Sequence, residues 1–437
     1  MQIVCQLINS QENRTALVRL WHLAKQATPG GGTLLDQWSQ RPFDDLAQQR
    51  IRQHFNKRKN PLCLQDLESR PTKVIEELDR LIATPRGKKP AFTPIEVEGV
   101  AYFLIQGSPH NGVDRRQAVR FGNYMRNHQV VPAKLLHNVS ACIRTLAEQA
   151  PFSHKHLTKR LREHEPVLRV ALGHFPDFHQ ISWSTVKTDE NRQIGFATGT
   201  EGENNRFAQA QEQILAAEKS GADLLIFPEL TLAESVQEKI RDWLLQRDEQ
   251  NDACSISLIV LGSFHVRSET YARNRCRLLQ GKNGRNILTH DKFSPASIGG
   301  FTEGFTPGES ASLLCTPIGN LSLAICKDCI GEYWDIWLKQ LCPDWLIIPS
   351  LSDGITLHQQ ATRSLWNLHR STSLVANQPI DNTIQTATSS AGSPHFGYVH
   401  TSHSQRNDKL DATAFHPGTP PLWILEIAIP AYKTKQC

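Results

Sequence analysis

The sequence lacks long hydrophobic runs and low-complexity tracts, and it has little methionine. Of its 437 residues only 2 are Met, while 39% are apolar and 21% are charged. This composition excludes a disordered chain and indicates a folded protein long enough for two domains. No apolar run approaches membrane-spanning length, and no basic and then apolar leader follows Met1. We therefore expect a cytoplasmic protein with no membrane segment.

Cysteines are present, but not in the spacing of a disulfide framework or a zinc site. The 10 cysteines are scattered along the chain, which predicts reduced thiols. Cys326 and Cys329 do match C-x-x-C, and a redox or zinc role is an alternative for this pair. No second C-x-x-C accompanies them, so the pattern favours unpaired thiols.

The charge is distributed unevenly between the two parts of the chain. Residues 1–165 hold 25 Lys and Arg against 15 Asp and Glu, whereas the remaining residues hold 23 against 28. We expect a mostly helical, basic domain over residues 1–164 and a second domain over residues 165–437. The basic domain invites a nucleic-acid or protein partner, with a solvated basic face as the alternative.

Hydrophobic spacing predicts the elements of the first domain. It predicts helices over residues 15–26, 43–55 and 71–82 and a strand over residues 97–106. It also predicts three short helices, over residues 114–127, 132–149 and 154–164.

Strands and helices alternate from Val167 onward. Val167 begins a strand, residues 205–220 have helical spacing, and the apolar run over residues 222–229 follows at once. The alternation continues to a closing strand over residues 422–429. A regular alternation of this kind predicts a layered α/β fold.

Four chemically useful side chains stand at strand ends or in the loops that follow them. They are Glu229, Lys292, Glu303 and Cys326. Such positions often carry catalytic groups. Taken singly, each has an ordinary explanation: a buried core thiol for Cys326, and turn or solvated charges for the other three.

Taken together, the motifs around these residues resemble the nitrilase, or carbon-nitrogen hydrolase, superfamily. The motifs are Phe227-Pro228-Glu229-Leu230, His290-Asp291-Lys292-Phe293, Glu303-Gly304-Phe305-Thr306-Pro307-Gly308 and Ile325-Cys326-Lys327-Asp328. The resemblance extends from about Val167 to Ile429. It implies a four-layer αββα sandwich, a homo-oligomer, and hydrolysis of a small amide or a nitrile without metal or cofactor.

The resemblance also implies a role for each group. Cys326 would be the nucleophile and Glu229 the base that takes the thiol proton, since a thiol is mostly protonated near neutral pH. Lys292 and the backbone N–H of Lys327 would stabilise the negative charge that develops on the attacked group. Glu303 would position Lys292 or the substrate and balance the charge of the cationic site.

Further residues are assigned to the substrate pocket by the same resemblance. They are Phe293, Lys327, Tyr333 and Ser350. Lys327 departs from the family, which often has an aromatic residue after the nucleophile, so the substrate class is left open. Two other functions stay as alternatives. One is a regulatory or adaptor protein that senses a metabolite or assembles, and the other is acyl transfer from the same thioester.

Overall fold

The chain, described by a computed structural model, divides into two compact units, Met1–Lys134 and Leu135–Cys437. The structure describes residues 1–28, 31–41, 44–57, 61–83, 93–106, 125, 128–135, 139–162, 167–175, 181–187, 192–200, 202–267, 272–298, 301–330, 337–352, 356–369, 371–379, 395–400, 408–411 and 422–429.

The first unit combines helices with a small antiparallel sheet. Its helices are α1 (Gln2–Asn9), α2 (Asn13–Ala24), α3 (Leu34–Ser39), α4 (Asp45–Lys57), α5 (Leu64–Ser69) and α6 (Pro71–Ala83). Its strands are β1 (Ile95–Val97), β2 (Val100–Gln106) and β3 (His128–Pro132), in the order β1-β2-β3.

One apolar core holds this first unit together. Leu17 and Leu20 of α2 and Val74 and Leu78 of α6 belong to the core, because each helix places apolar residues three or four positions apart on one face. Helices α2, α4 and α6 confirm the helical predictions over residues 15–26, 43–55 and 71–82. The predicted helix over residues 114–127 lies outside the described residues.

The second unit is built from two large sheets, a smaller sheet and helices. Its helices are α7 (Leu146–Gln149), α8 (Pro151–Arg162), α9 (Glu203–Lys219), α10 (Glu234–Glu249), α11 (Lys339–Leu341) and α12 (Thr356–His369). Its first strands are β4 (Ser140–Thr145), β5 (Val167–Gly173), β6 (Ile181–Lys187), β7 (Gln193–Thr200), β8 (Leu224–Ile226), β9 (Leu258–Arg267), β10 (Ala272–Gln280), β11 (Asn286–Asp291) and β12 (Ser297–Ile298). The remaining strands are β13 (Phe301–Glu303), β14 (Ser310–Thr316), β15 (Gly319–Leu323), β16 (Trp345–Leu351), β17 (Thr372–Gln378), β18 (His395–His400), β19 (Asp408–Asp411) and β20 (Leu422–Ala428).

The two large sheets pack face to face. One has the order β11-β10-β9-β8-β5-β20 and the other the order β19-β18-β17-β16-β15-β14-β4. Leu168 and Val170 of the six-stranded sheet share a buried core with Leu321 and Ile347 of the seven-stranded sheet. Alternate residues of a strand point to opposite faces, and Ala171 accordingly lies in a different core.

Helices cover the outer faces of this pair of sheets. Ile214 of α9 and Ile240 of α10 share the second core with Leu225 and Ile259 of the six-stranded sheet. Helix α12 packs against β17 and β18 of the seven-stranded sheet. The predicted four-layer αββα sandwich is therefore confirmed.

The second unit begins closer to the N-terminus than the sequence predicted. Strand β4 pairs in parallel with β14 in the seven-stranded sheet, and Leu157 of α8 lies in the core between the sheets. Arg160 of α8 also donates to the buried Asp223 over 2.9 Å. The boundary expected at residue 165 thus falls inside a compact unit that begins at Leu135, because residues 135–162 complete its sheet and core.

One of the predicted short helices is wrong and another is confirmed. Residues 140–145 of the expected helix 132–149 form β4, and among the described residues of that range only 146–149 are helical. Pairing along a whole neighbouring strand outweighs helical propensity in so short a segment. Helix α8 confirms the helix expected over residues 154–164.

Within the described ranges, no helix combines the length and apolarity that a membrane span needs.

Candidate active site

The six-stranded sheet places Glu229 just beyond the end of β8. A parallel bridge between Glu229 and Ser263 extends the pairing of β8 with β9. Gly262 (φ +68°) allows the backbone of Pro228 to approach this closely, because a Cβ atom at position 262 would lie 1.9 Å from the carbonyl oxygen of Pro228. The backbone of Leu230, also in the left-handed region with φ +57°, then leads the chain away. Glu229 is thereby held at the sheet edge with a 2% exposed side chain.

Lys292 follows β11 and lies between two carboxylates. Its Nζ donates to Glu229 Oε1 over 2.8 Å and to Glu303 Oε2 over 2.6 Å. Asn274 Nδ2 on β10 donates to both as well, over 3.0 Å to Glu229 Oε1 and 3.1 Å to Glu303 Oε1. All four side chains are buried. The structure thus brings three of the predicted residues into one hydrogen-bonded group.

Glu303 receives further donors that fix its carboxylate. The backbone N–H of Ala296 donates to Oε2 over 2.8 Å, and His265 Nε2 lies 3.2 Å from Oε1. His265 Nδ1 accepts from the backbone N–H of Ala197 over 2.8 Å, so Nε2 is the nitrogen that carries the proton and donates to Glu303. Ala197 lies on β7, whose pairing with β13 also positions Glu303.

The two carboxylates have opposite pKa shifts although both face Lys292. Burial raises the pKa of Glu229 above its ordinary value, the charge of Lys292 opposes this, and the charge of Glu303 adds to it. Burial also acts to raise the pKa of Glu303, but Lys292 and His265 lower it to about 2. The Lys292 pKa is well above its ordinary value, because the two carboxylates outweigh burial. These shifts make Glu303 the stronger acid of the two carboxylates.

Cys326 stands on a tight turn directly after a buried strand. Strand β15 ends at Leu323, and Cys326 begins a 3-10 turn that ends at Cys329. The Cys326 backbone has φ +43°, which is unfavourable for a side chain with a Cβ atom. Backbone strain of this kind clusters at functional positions in proteins. It holds the 7% exposed Cys326 side chain at the end of its strand.

The thiol is surrounded by neutral hydrogen-bonding groups, the carboxylate of Glu229 and the cation of Lys292. Ser350 Oγ lies 3.5 Å from Cys326 Sγ, which in turn lies 3.8 Å from the carbonyl oxygen of Leu351. The Leu351 N–H donates to Glu229 Oε2 over 3.2 Å, and the Cys326 thiol acts on the pKa of Glu229. Burial, followed by the charge of Glu229, raises the pKa of Cys326 to about 12. The sulfur is therefore a thiol near neutral pH and needs a base before it can attack.

Asp328 ties the Cys326 turn to the loop that carries Lys292. Its Oδ1 accepts from the backbone N–H groups of Phe293 and Ser294, each over 2.8 Å. Its Oδ2 accepts from the N–H of Ile325 over 3.2 Å and lies 3.2 Å from His290 Nε2. One buried carboxylate thus fixes the segment before Cys326 and the segment after Lys292.

The residues expected in the substrate pocket occupy different environments. The Phe293 ring is buried and packs against His290 and Trp337, and Lys327 Nζ donates to the carbonyl oxygen of Pro295 over 2.9 Å. Ser350 Oγ lies 3.5 Å from Cys326 Sγ. Tyr333 lies outside the described residues. Pocket roles for all four residues stay predictions.

Three further residues belong to the site and escaped sequence reasoning: Asn274, His265 and His358. Asn274 could have been found from the sequence, because it is an uncharged polar residue between Arg273 and Arg275 on a strand whose residues alternate in burial. His265 and His358 had none that distinguishes them from other histidines. His358 Nε2 lies 3.3 Å from Ser350 Oγ.

The other thiol of the C-x-x-C pattern has a structural contact. Cys329 Sγ donates to the backbone carbonyl oxygen of Cys326 over 3.1 Å, and all 9 cysteines within the described ranges are free thiols. Those same ranges contain no group of three or more His, Cys, Asp or Glu side chains that could hold a metal ion. The described geometry thus gives the C-x-x-C pattern neither a disulfide nor a zinc cluster.

Comparison with known proteins finds distant structural similarities. An amidase from Nesterenkonia sp. is 13% identical, with a TM-score of 0.42, over 62% of this chain and 93% of that chain. A variant of the amidase from Nesterenkonia sp. AN1, with covalent addition of the acetamide moiety of fluoroacetamide at the active site cysteine, is 12% identical, with a TM-score of 0.41, over 62% and 94%. The glutamine-dependent NAD+ synthetase from Acinetobacter baumannii is 18% identical, with a TM-score of 0.38, over 60% and 45%. No protein-family model and no curated protein sequence matches the chain.

Proposed function

We propose that the second unit is a thiol amidohydrolase of the nitrilase superfamily, which hydrolyses a small amide through a Cys326 thioester. The observation that carries this proposal is the buried group of Glu229, Lys292 and Glu303, in which Lys292 Nζ lies 2.8 Å and 2.6 Å from the two carboxylates, beside the buried Cys326 thiol. A pair of carboxylates with separated pKa values identifies which one exchanges protons. Here that group is Glu229, the carboxylate that interacts with Cys326.

The first half of the reaction transfers the acyl group to sulfur. Glu229 takes the proton of the Cys326 thiol, and the sulfur attacks the amide carbon. The carbonyl oxygen becomes negatively charged and is stabilised by Lys292 Nζ and the backbone N–H of Lys327. Lys292 donates two of its three protons to Glu229 and Glu303, which leaves the third for this oxygen. Glu229 then gives its proton to the nitrogen, the carbon–nitrogen bond breaks, and ammonia or an amine leaves.

The second half returns the enzyme to its starting state. Glu229 removes a proton from a water molecule, whose oxygen attacks the thioester carbon. The carbon–sulfur bond breaks, a carboxylic acid is released, and the sulfur recovers a proton from Glu229. A nitrile is a second substrate class for the same thiol, since its carbon is attacked in the same way.

The proposal is tested by intact mass spectrometry after incubation with a panel of small amides and nitriles. We expect an acyl adduct that maps to Cys326 and release of ammonia, and we expect Cys326→Ala to lose both, with a rate loss of about 10⁴-fold or more. Cys63→Ser is the matched control, because Cys63 is an exposed thiol of the first unit. Ammonia release by Cys326→Ala at the rate of the control would overturn the assignment. A folded protein that forms no adduct with any member of the panel would favour a regulatory or adaptor role.

The first unit and the assembly state belong to the same proposal. We propose that the basic residues of the N-terminal region bind an acidic partner, protein or nucleic acid, and that the chain forms a cytoplasmic homo-oligomer. Binding of a nucleic acid through phosphates weakens steeply with salt. Titration of a fluorescent oligonucleotide at two salt concentrations is the test, and binding that ignores salt would contradict the electrostatic contact. Light scattering measures the oligomeric state.

A further inference from the structure

Ser350 and His358 are buried polar residues beside the nucleophile. Ser350 lies on β16 and is 0% exposed, whereas His358 lies in the first turn of α12 and is 2% exposed. Burying a hydroxyl and an imidazole costs free energy unless both are hydrogen-bonded. Their contacts form a chain from His358 Nε2 to Ser350 Oγ over 3.3 Å and from Ser350 Oγ to Cys326 Sγ over 3.5 Å.

The number of protons fixes the direction of this chain. A serine hydroxyl has one proton, and the Ser350 hydroxyl donates it to Cys326 Sγ. His358 Nε2 must then be the donor to Ser350 Oγ. Both donors therefore point toward the sulfur.

We propose that Ser350 and His358 form a donor relay that stabilises the Cys326 thiolate. Ser350 is the direct donor to the sulfur, and His358 is a positioning residue that holds the Ser350 hydroxyl in this orientation. Hydrogen bonds to an ionised acceptor are about twice as strong as those between neutral groups. The relay therefore strengthens when the thiol loses its proton. This proposal rests on the proposed function, in which Cys326 is the nucleophile.

The relay accepts no proton during the reaction. Burial lowers the pKa of His358 to about 4, so the imidazole is neutral near pH 7 and does not form an ion pair with the thiolate. The thiol proton moves to Glu229, and Ser350 and His358 keep their own protons throughout. Ser350 acts to lower the pKa of Cys326, against burial and the charge of Glu229.

Other titratable groups also face the Cys326 thiol. Within the described residues they come from several elements: Glu229 after β8, Lys292 after β11, Cys329 on its own turn and His358 on α12. Glu229 and Lys292 act on the thiol pKa in opposite directions. A test of the relay must therefore change Ser350 and His358 while leaving these charges in place.

The test is the rate of Cys326 alkylation by iodoacetamide between pH 6 and 9, read by mass spectrometry of the Cys326 peptide. Below the thiol pKa this rate follows the thiolate fraction. We expect Ser350→Ala to raise the thiol pKa by about 1 to 2 units, the value of a hydrogen bond to a charged group. Higher thiolate nucleophilicity offsets part of this, so alkylation slows about four- to tenfold.

Variants of His358 separate positioning from folding. We expect His358→Leu to slow alkylation by a smaller factor than Ser350→Ala, whereas His358→Gln retains a side-chain N–H and restores much of the rate. In the Ser350→Ala background, His358→Leu should have almost no further effect, because it acts through Ser350. Thermal melting checks that each variant folds. If His358→Leu fails to fold, the comparison of His358→Gln with wild type in both backgrounds decides the question.

Two results would overturn the relay. One is an alkylation profile of Ser350→Ala that matches wild type. The other is an effect of the His358 substitutions that is equally large with and without Ser350. Alkylation needs no substrate, so it also separates this proposal from the proposed function. If the variants show the predicted changes in alkylation rate and the wild-type protein hydrolyses no amide, only the proposed function is contradicted.

Discussion

The two large sheets of the second unit contribute different chemistry to the candidate active site. The six-stranded sheet contributes the charged groups, Glu229 after β8 and Lys292 after β11, together with the neutral amide of Asn274 on β10. The seven-stranded sheet ends in neutral groups, with Cys326 after β15 and Ser350 on β16. Face-to-face packing of the sheets brings Glu229 from one sheet close to Cys326 on the other.

This division separates the positioning of charge from the positioning of the nucleophile. A buried cation persists only when buried anions are paired with it, and Lys292 has Glu229 and Glu303 at 2.8 Å and 2.6 Å. On the other sheet, backbone strain at Cys326 and hydrogen bonds from uncharged groups position the sulfur.

The largest expected effect comes from removing the cation of the charged side. Lys292→Met leaves two buried carboxylates facing each other, so we expect loss of activity and about 3 to 5 kcal/mol lower free energy of unfolding. Urea unfolding measures the loss. Lys282→Met is the matched control, because Lys282 is 35% exposed and its nearest carboxylate oxygen, on Asp248, is 3.5 Å away. Equal urea midpoints for Lys292→Met and Lys282→Met would contradict a charged, ion-paired Lys292 in the folded protein.

The next effect separates the two carboxylates. Glu229→Gln removes the proton acceptor, so ammonia release should fall by about 10²- to 10⁴-fold. Glu303→Gln removes the permanent anion, whose pKa is about 2, and should lower the melting temperature more than Glu229→Gln does. Ammonia release and thermal melting of both variants provide the comparison. If Glu229→Gln were the more destabilised and the more active of the two, the assignments would be reversed.

A smaller effect is the acid dependence of stability. The pKa of Glu303 is about 2 in the fold, below its ordinary value of 4.5, so the unfolded chain binds the extra proton between these values. The stabilisation is present above pH 4.5 and is lost as the pH falls toward 2, by on the order of 3 kcal/mol. Urea unfolding across this window measures the slope. Glu303→Gln should flatten it, and an equally steep slope in that variant would assign the acid lability to other groups.

Much of this site could be predicted because strand ends are visible in a sequence. Glu229 and Cys326 each follow a short apolar run that ends abruptly, and the structure places both at the edges of adjacent sheets. The alternation of apolar runs and helical spacing predicted a layered α/β fold, whereas the four-layer αββα sandwich was implied by the family resemblance. The roles of the four predicted residues are proposals, and their proximity is what the structure adds.

The rest depends on contacts between distant parts of the chain. His358 reaches Ser350 only because α12 packs back on its sheet, and His265 reaches Glu303 because β7 supplies the Ala197 N–H. Strand β4 was predicted as a helix because its six residues carry little pattern of their own. Its structure is set by the register with β14, a partner far along the chain.

The asymmetry of the two carboxylates is the central claim, and carbon-13 NMR measures it directly. The protein labelled at the glutamate carboxyl carbon is titrated from acid to neutral pH, and the Glu229 and Glu303 signals are assigned by their loss in the Glu229→Gln and Glu303→Gln variants. We predict that Glu303 titrates near pH 2 and Glu229 above its ordinary value of 4.5. Titration of both groups at one pH, or of Glu303 above Glu229, would contradict the account.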